Sequence, residues 1–153
     1  MEKKLIVLAH AGLCNRLLPL VSGWRASEIL NRKLILCWAG PPRRTGMPYQ
    51  DTDGASFNDL FENPIEQISI EEVNSIQSLK WFADRRGMNV ANWKAPPNLK
   101  LKDPQVIRSN IISKSIDAEY VAVRTSRFVG VEGDQPTLGF LNKKRKPTYR
   151  LPK

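Results

Sequence analysis

Residues 4–38, "KLIVLAHAGLCNRLLPLVSGWRASEILNRKLILCW", decide the fold. The run over 4–9 is short, continuous and apolar, and it stops at His10 and Gly12. That pattern reads as a strand buried on both faces. "KLILCW", residues 33–38, reads as a second such strand. Between them, residues 15–31 read as a helix. Leu17, Leu20, Val21 and Trp24 fall on one side at spacings of three and four, and Leu18, Ile29 and Leu30 widen that face. Pro19 fits a helix best within its first turn, which places the helix start near Asn15, a favoured N-cap type. Asn31 can close the helix in a left-handed conformation. A strand, a helix and a strand at this spacing make two parallel strands joined by a right-handed crossover.

Working outward, residues 39–56 are rich in Gly, Pro, Arg, Asp and Thr and read as a long loop. "SFNDLFE" reads as a short helical turn capped by Ser56, and "QISI", residues 67–70, as a short strand. Residues 69–87 read as a helix. Ser69 and Glu72 form a capping box, Val73, Ile76, Leu79 and Phe82 supply the apolar stripe, and Gly87 stops it. Residues 88–104 read as loop, 105–116 as a helix and 118–124 as a strand. Trp24, Trp38 and Trp81 are assigned to the core or its margin. The expected fold is α/β: a single Rossmann-like domain with a mostly parallel sheet over residues 1–130, followed by an irregular basic tail over 131–153.

The chain has 153 residues, 41% apolar and 25% charged, which suits one ordinary globular domain. No run of about 18 apolar residues is present, so no membrane span is expected. The five-residue apolar run near the N-terminus is too short for a signal peptide. Cys14 and Cys37 have no metal-ligand spacing, and with one histidine they do not supply a zinc site. They are read as free thiols in a reducing, cytoplasmic setting. The net charge of +9 is uneven, because residues 1–80 hold nine basic and nine acidic side chains. The last twelve residues, "NKKRKPTYRLPK", hold six basic and no acidic ones. Such a tail could contact nucleic acid or an acidic partner. It lacks the aromatic or glycine pattern of a nucleic-acid module, and a solvated terminus is the favoured reading.

The turn at residues 10–16 has two readings. A loop between a parallel strand and a helix lies at the carboxyl edge of the sheet, where α/β proteins bind ligands. The helix start offers N–H groups and positive potential to phosphate, Gly12 allows close backbone approach, Asn15 can cap or turn outward, and Arg16 offers a forked donor. The chain lacks G-x-G-x-x-G and a Walker A lysine, so a structural corner is the other reading. His10 could serve as a base or phosphate donor, or be structural. Arg124, Thr125, Ser126 and Arg127 end a strand that would share this edge, and could meet an anion or simply be solvated. No paired carboxylates and no Ser/His/Asp or Cys/His set stand out.

Residues 10–38 resemble the N-terminal segment of the fucosyltransferase-like superfamily, which contains α-1,6-, nodulation and protein O-fucosyltransferases. Gly12, Leu13, Asn15, Arg16, Leu17 and Trp38 match its turn, helix and tryptophan-ended strand. "GASFNDLFE" is similar to a later stretch through Ala55, Ser56, Phe57, Leu60 and Phe61, and "VAVRTSRF" is similar to the next strand. Cys14 departs from the family's second glycine. The resemblance implies the N-terminal half of a GT-B glycosyltransferase. It further implies a nucleotide-sugar donor of the GDP-fucose type as substrate, a glycan or other hydroxyl acceptor, and no metal or cofactor. Donor contacts would come from Gly12, Asn15, Arg16, His10 and Arg124, with no catalytic base assigned. Family members are about twice this length, so the chain is expected to be truncated and inactive alone. The alternative is a non-catalytic α/β binding module with a basic tail.

Overall fold

The computed structural model describes residues 1–9, 13–38, 56–62, 64–83, 106–125 and 127–134. Strand β1 (Lys4–Ala9), helix α1 (Leu13–Ile29) and strand β2 (Lys33–Trp38) form the expected parallel unit. Helices α2 (Phe57–Leu60) and α3 (Ile70–Ser75) follow, then strands β3 (Leu79–Ala83), β4 (Val106–Ile107), β5 (Ile111–Ile112), β6 (Tyr120–Thr125) and β7 (Gly130–Val131). Five strands make one sheet in the order β2-β1-β6-β3-β4, with every pairing parallel, and β5 and β7 make a small second ladder. The fold is α/β and Rossmann-like.

Both faces of the sheet are covered, as a parallel sheet requires. On one face Leu5, Val7, Phe82, Val121 and Val123 pack with Ala26 of α1 and with Ile112, Val129 and Val131. On the other, Ile6, Leu8, Ile35, Cys37, Leu79, Trp81 and Ala122 pack against Val73 of α3. The outer edge of β2 is not bare: the Leu36 N–H donates to the Glu66 carbonyl (2.8 Å) and the Ile68 N–H to the Leu36 carbonyl (3.0 Å). Residues 67–70 therefore contribute one bridge, at Gln67, rather than the expected strand.

Helix α1 starts two residues earlier than expected, so Pro19 lies in its interior and Asn15 is an exposed helical residue rather than its cap. An interior proline removes one backbone hydrogen bond and crowds the preceding turn; here its ring is buried, which offsets part of that cost. The face turned inward also differs. It consists of Arg16, Pro19, Leu20, Gly23, Ala26 and Ser27, while Trp24 is 44% exposed and Val21 68% exposed. Gly23 explains the choice, because a Cβ there would sit 2.6 Å from Val7 Cγ2. Small residues let the helix lie close on β1, and the larger apolar side chains are left outside. At its other end α1 closes as expected. Asn31 adopts φ 50°, its N–H bonds the Glu28 carbonyl (3.1 Å), and the Arg32 N–H bonds the Ser27 carbonyl (2.8 Å). This pair of bonds satisfies carbonyls that a helix end otherwise leaves open.

The expected helix over 69–87 is corrected as far as Ala83, its remainder with Gly87 lying outside the described residues. The Ser69–Glu72 capping box is present, but α3 ends at Ser75 and β3 begins at Leu79. In "LKWFA", Leu79 and Trp81 enter one core and Phe82 the other, an alternation that a helical stripe through Leu79 and Phe82 imitates. Residues 105–116 likewise hold β4 and β5 in place of the expected helix, in keeping with their β-branched Val106, Ile107, Ile111 and Ile112. The Ser56 cap is present, with Asp59 completing its box. The packed chain continues past residue 130, through β7 to Asp134, whose carboxylate pairs with Arg25; residues 135–153 of the tail lie outside the described residues. No described helix is long and apolar enough to cross a membrane.

Candidate functional site

The strand order determines where a ligand can enter. From β1 the chain moves to β2 on one side, and from β3 to β4 on the other. The crossovers part at the carboxyl ends of β1 and β6, where open α/β sheets form their binding crevice. Parallel register brings two rows of side chains to that edge. Cys37, Leu8, Arg124 and Ala83 stand in one row, and Trp38, Ala9 and Thr125 in the next.

Arg124 is the cation of the first row, 4% exposed. Burial pushes its guanidinium down to about 9, while neighbouring Cys37 acts in the opposite direction. Cys37 is a free, buried thiol. Burial pushes it up to about 12, with Glu71 and Glu72 raising it further and Arg124 lowering it. The thiol is thus held neutral beside the guanidinium. Thr125 is buried in the second row, and its Oγ1 accepts from the Arg127 N–H (2.9 Å). That short turn fixes how the chain leaves β6.

Arg16 is 1% exposed, with its guanidinium carbon 4.8 Å from the centre of the Trp38 ring. Trp38 in turn meets Phe57 edge-on at 5.5 Å and Phe61 at 6.0 Å. A desolvated stack of this kind contributes about 2 kcal/mol. The stack joins α1, β2 and α2 at the carboxyl end of β2. Asn15, one residue earlier, is exposed, as are Leu13 and Cys14. The structure therefore brings Arg124 and the first turn of α1 to one sheet edge, but over opposite faces of the sheet, and sets Asn15 and Arg16 in different surroundings. His10 and Gly12 lie outside the described residues.

Reading the sequence residue by residue missed the Arg16–Trp38 stack and the Cys37–Arg124 pair. The available signal was positional: two strands ending at Trp38 and Thr125 in parallel register with Ala9. The chain matches no protein-family model, no curated protein and no solved structure.

Proposed function

We propose that this chain is a nucleotide-sugar-binding α/β domain of the fucosyltransferase-like type, receiving a GDP-fucose-class donor at the carboxyl edge of its sheet. The observation that carries the reading is Arg124, a buried cation at the carboxyl end of the central strand, the sheet edge at which open α/β folds take their ligands. A diphosphate there would meet positive charge in a setting of reduced dielectric, where such charge acts most strongly. The first turn of α1, at the same sheet edge but over its other face, would add N–H donors of the kind that hold phosphate. Asn15 would supply an exposed directional hydrogen bond, and Arg16 would act through Trp38 by holding the aromatic floor. The acceptor would be a hydroxyl of a glycan or similar molecule, entering from the open side of the crevice. A glycosyl transfer of this type asks the domain for charge and position, not for a metal.

Isothermal titration of the full chain with GDP and GDP-fucose tests the reading. The expected result is saturable binding of both, weakened at least roughly tenfold in Asn15→Ala, the loss of about 1.4 kcal/mol that one directional hydrogen bond to a charged ligand supplies. Arg124→Gln should abolish binding while retaining the far-ultraviolet circular dichroism of the parent. Absence of binding at millimolar GDP and GDP-fucose would overturn it.

A further inference from the structure

Helix α1 turns its small residues inward and leaves larger apolar ones outward, on a face that the carboxyl edge does not use. Leu18 is 53% exposed, Val21 68% and Trp24 44%, and Cys14 is exposed one turn earlier. With half-buried Leu17, these positions step along the helix by threes and fours, the spacing of a seam between two helices. Beside the seam, between α1 and the stretch from α2 to Ile65, runs an apolar groove of about 430 Å³ lined by Leu17, Val21, Trp24, Phe57 and Phe61. Contiguous apolar side chains left outward in this way mark an interaction surface.

The polar groups on this face already have partners within the chain. Trp24 Nε1 donates to Glu28 Oε1 (3.1 Å), Ser22 Oγ donates to the Leu18 carbonyl and accepts from the Val129 N–H (2.7 Å), and Arg25 donates to both carboxylate oxygens of Asp134 (3.2 and 3.3 Å). Covering the face leaves none of these donors unpaired, and the indole is held in place before a partner arrives. Two observations identify that partner as a second copy of the chain. The first is charge. The chain carries +9 overall, yet α1 exposes one base, Arg25, and one acid, Glu28. Two copies repel least where the meeting surfaces are neutral. Helix α1 also has no acid in its first turn and no base in its last, where Glu28 stands at the negative end. An antiparallel neighbour corrects both ends, setting each Glu28 against the positive first turn of the other helix. The second is symmetry. Val21 is the midpoint of Leu13–Ile29. Counting outward from it, Leu18 mirrors Trp24, Leu17 mirrors the aliphatic stem of Arg25, and Cys14 mirrors Glu28. A two-fold axis at Val21 therefore lays apolar against apolar around the centre.

We propose that this chain forms a two-fold dimer through the outer face of α1, with the two helices antiparallel and crossing at Val21. Leu18 of each copy packs against Trp24 of the other, and the pre-positioned indole is the anchor of the interface. Helix α1 has 17 residues and is about 25 Å long. A seam of that length, with Phe57 and Phe61 beside it, falls among the smaller specific interfaces. The dimer stands whether or not the carboxyl edge takes a donor.

Sedimentation equilibrium of the full chain, joined to cross-linking with a short bismaleimide, tests it. The expected result is a monomer–dimer equilibrium with most of the protein dimeric at roughly 100 µM. Leu18→Asp and Trp24→Ala should each raise the dissociation constant at least roughly tenfold. Both alter side chains that already face outward, so the far-ultraviolet circular dichroism of the parent should be kept. Cross-linking reads the orientation. Cys37 is buried, and the antiparallel seam holds the two Cys14 thiols about 21 Å apart, so the native chain should give no covalent dimer. Val21→Cys should give one, because its two copies meet on the axis. A chain that stays monomeric at that concentration, a dimer that either substitution leaves intact, a Val21→Cys chain that does not link, or a covalent dimer through Cys14 would each overturn the proposal. The last outcome would mean parallel helices.

Discussion

Two buried residues illustrate how a single side chain sets the behaviour of its surroundings. Cys37 has a folded pKa raised to about 12 from an ordinary 9.0. Between those values the unfolded chain releases the thiol proton and the folded chain keeps it, so the thiol's contribution to stability falls as pH rises. Arg124 acts with the opposite sign in the same window, since its folded form gives up a proton that the unfolded form retains. The stability of the parent relative to Cys37→Ala should therefore drop by about 1 kcal/mol between pH 8 and pH 10, as read by urea unfolding. At pH 8 an alkylating reagent should label Cys14 and spare Cys37 until the chain unfolds. Arg32 is the second case. Its two terminal nitrogens donate to the carbonyls of Ala118 (2.7 Å) and Ile116 (2.8 Å), with longer contacts to Glu119 and Lys4. Burial lowers its pKa, yet a forked donor among inward-facing carbonyls has no simple substitute. Arg32→Ala should lower stability by about 3 kcal/mol, and Arg32→Lys by about half of that, in urea denaturation.

At the scale of elements, close packing of α1 on β1 rests on Gly23. Alanine in an open helix position gains about 1 kcal/mol over glycine. Here the added Cβ would lie 2.6 Å from a methyl of Val7, a β-branched residue with little rotamer freedom in a full core. Gly23→Ala should therefore reverse that sign, lowering stability by about 1–3 kcal/mol and the melting temperature with it, measured by calorimetry. The same residue shows why the sequence was legible in part. β1, β2 and β6 announce themselves as short apolar runs, and the caps at Ser56, Ser69 and Asn31 follow from local hydrogen bonding. The inner face of α1 does not, because glycine, alanine and serine pack well and carry no hydrophobic signature. β3 was hidden for a different reason. Buried on both faces, "LKWFA" shows no alternation of apolar and polar residues, and a good capping box stands just before it.

For the whole molecule, the carboxyl edge could be located from the sequence because it depends on strand direction, which the β1–α1–β2 unit imposes. What the edge contains could not, because the rows Cys37–Leu8–Arg124–Ala83 and Trp38–Ala9–Thr125 join residues more than a hundred positions apart. The order β2-β1-β6-β3-β4 also sets a sequence of events in time. The central strand is the last of the five to be synthesised, so a growing chain must hold β1 and β3 apart, or leave them unpaired, until Tyr120–Thr125 arrives between them. Until that moment two apolar strands face water with open backbone edges, a state prone to wrong pairing. Ribosome-bound chains displayed only as far as Ser115 should be cut rapidly by protease, and chains displayed through Asp134 should resist. Equal resistance at both lengths would mean that the first part of the sheet closes without its centre. A domain built in this order folds from the outside in, and its final insertion installs both the keystone of the core and Arg124 in one step.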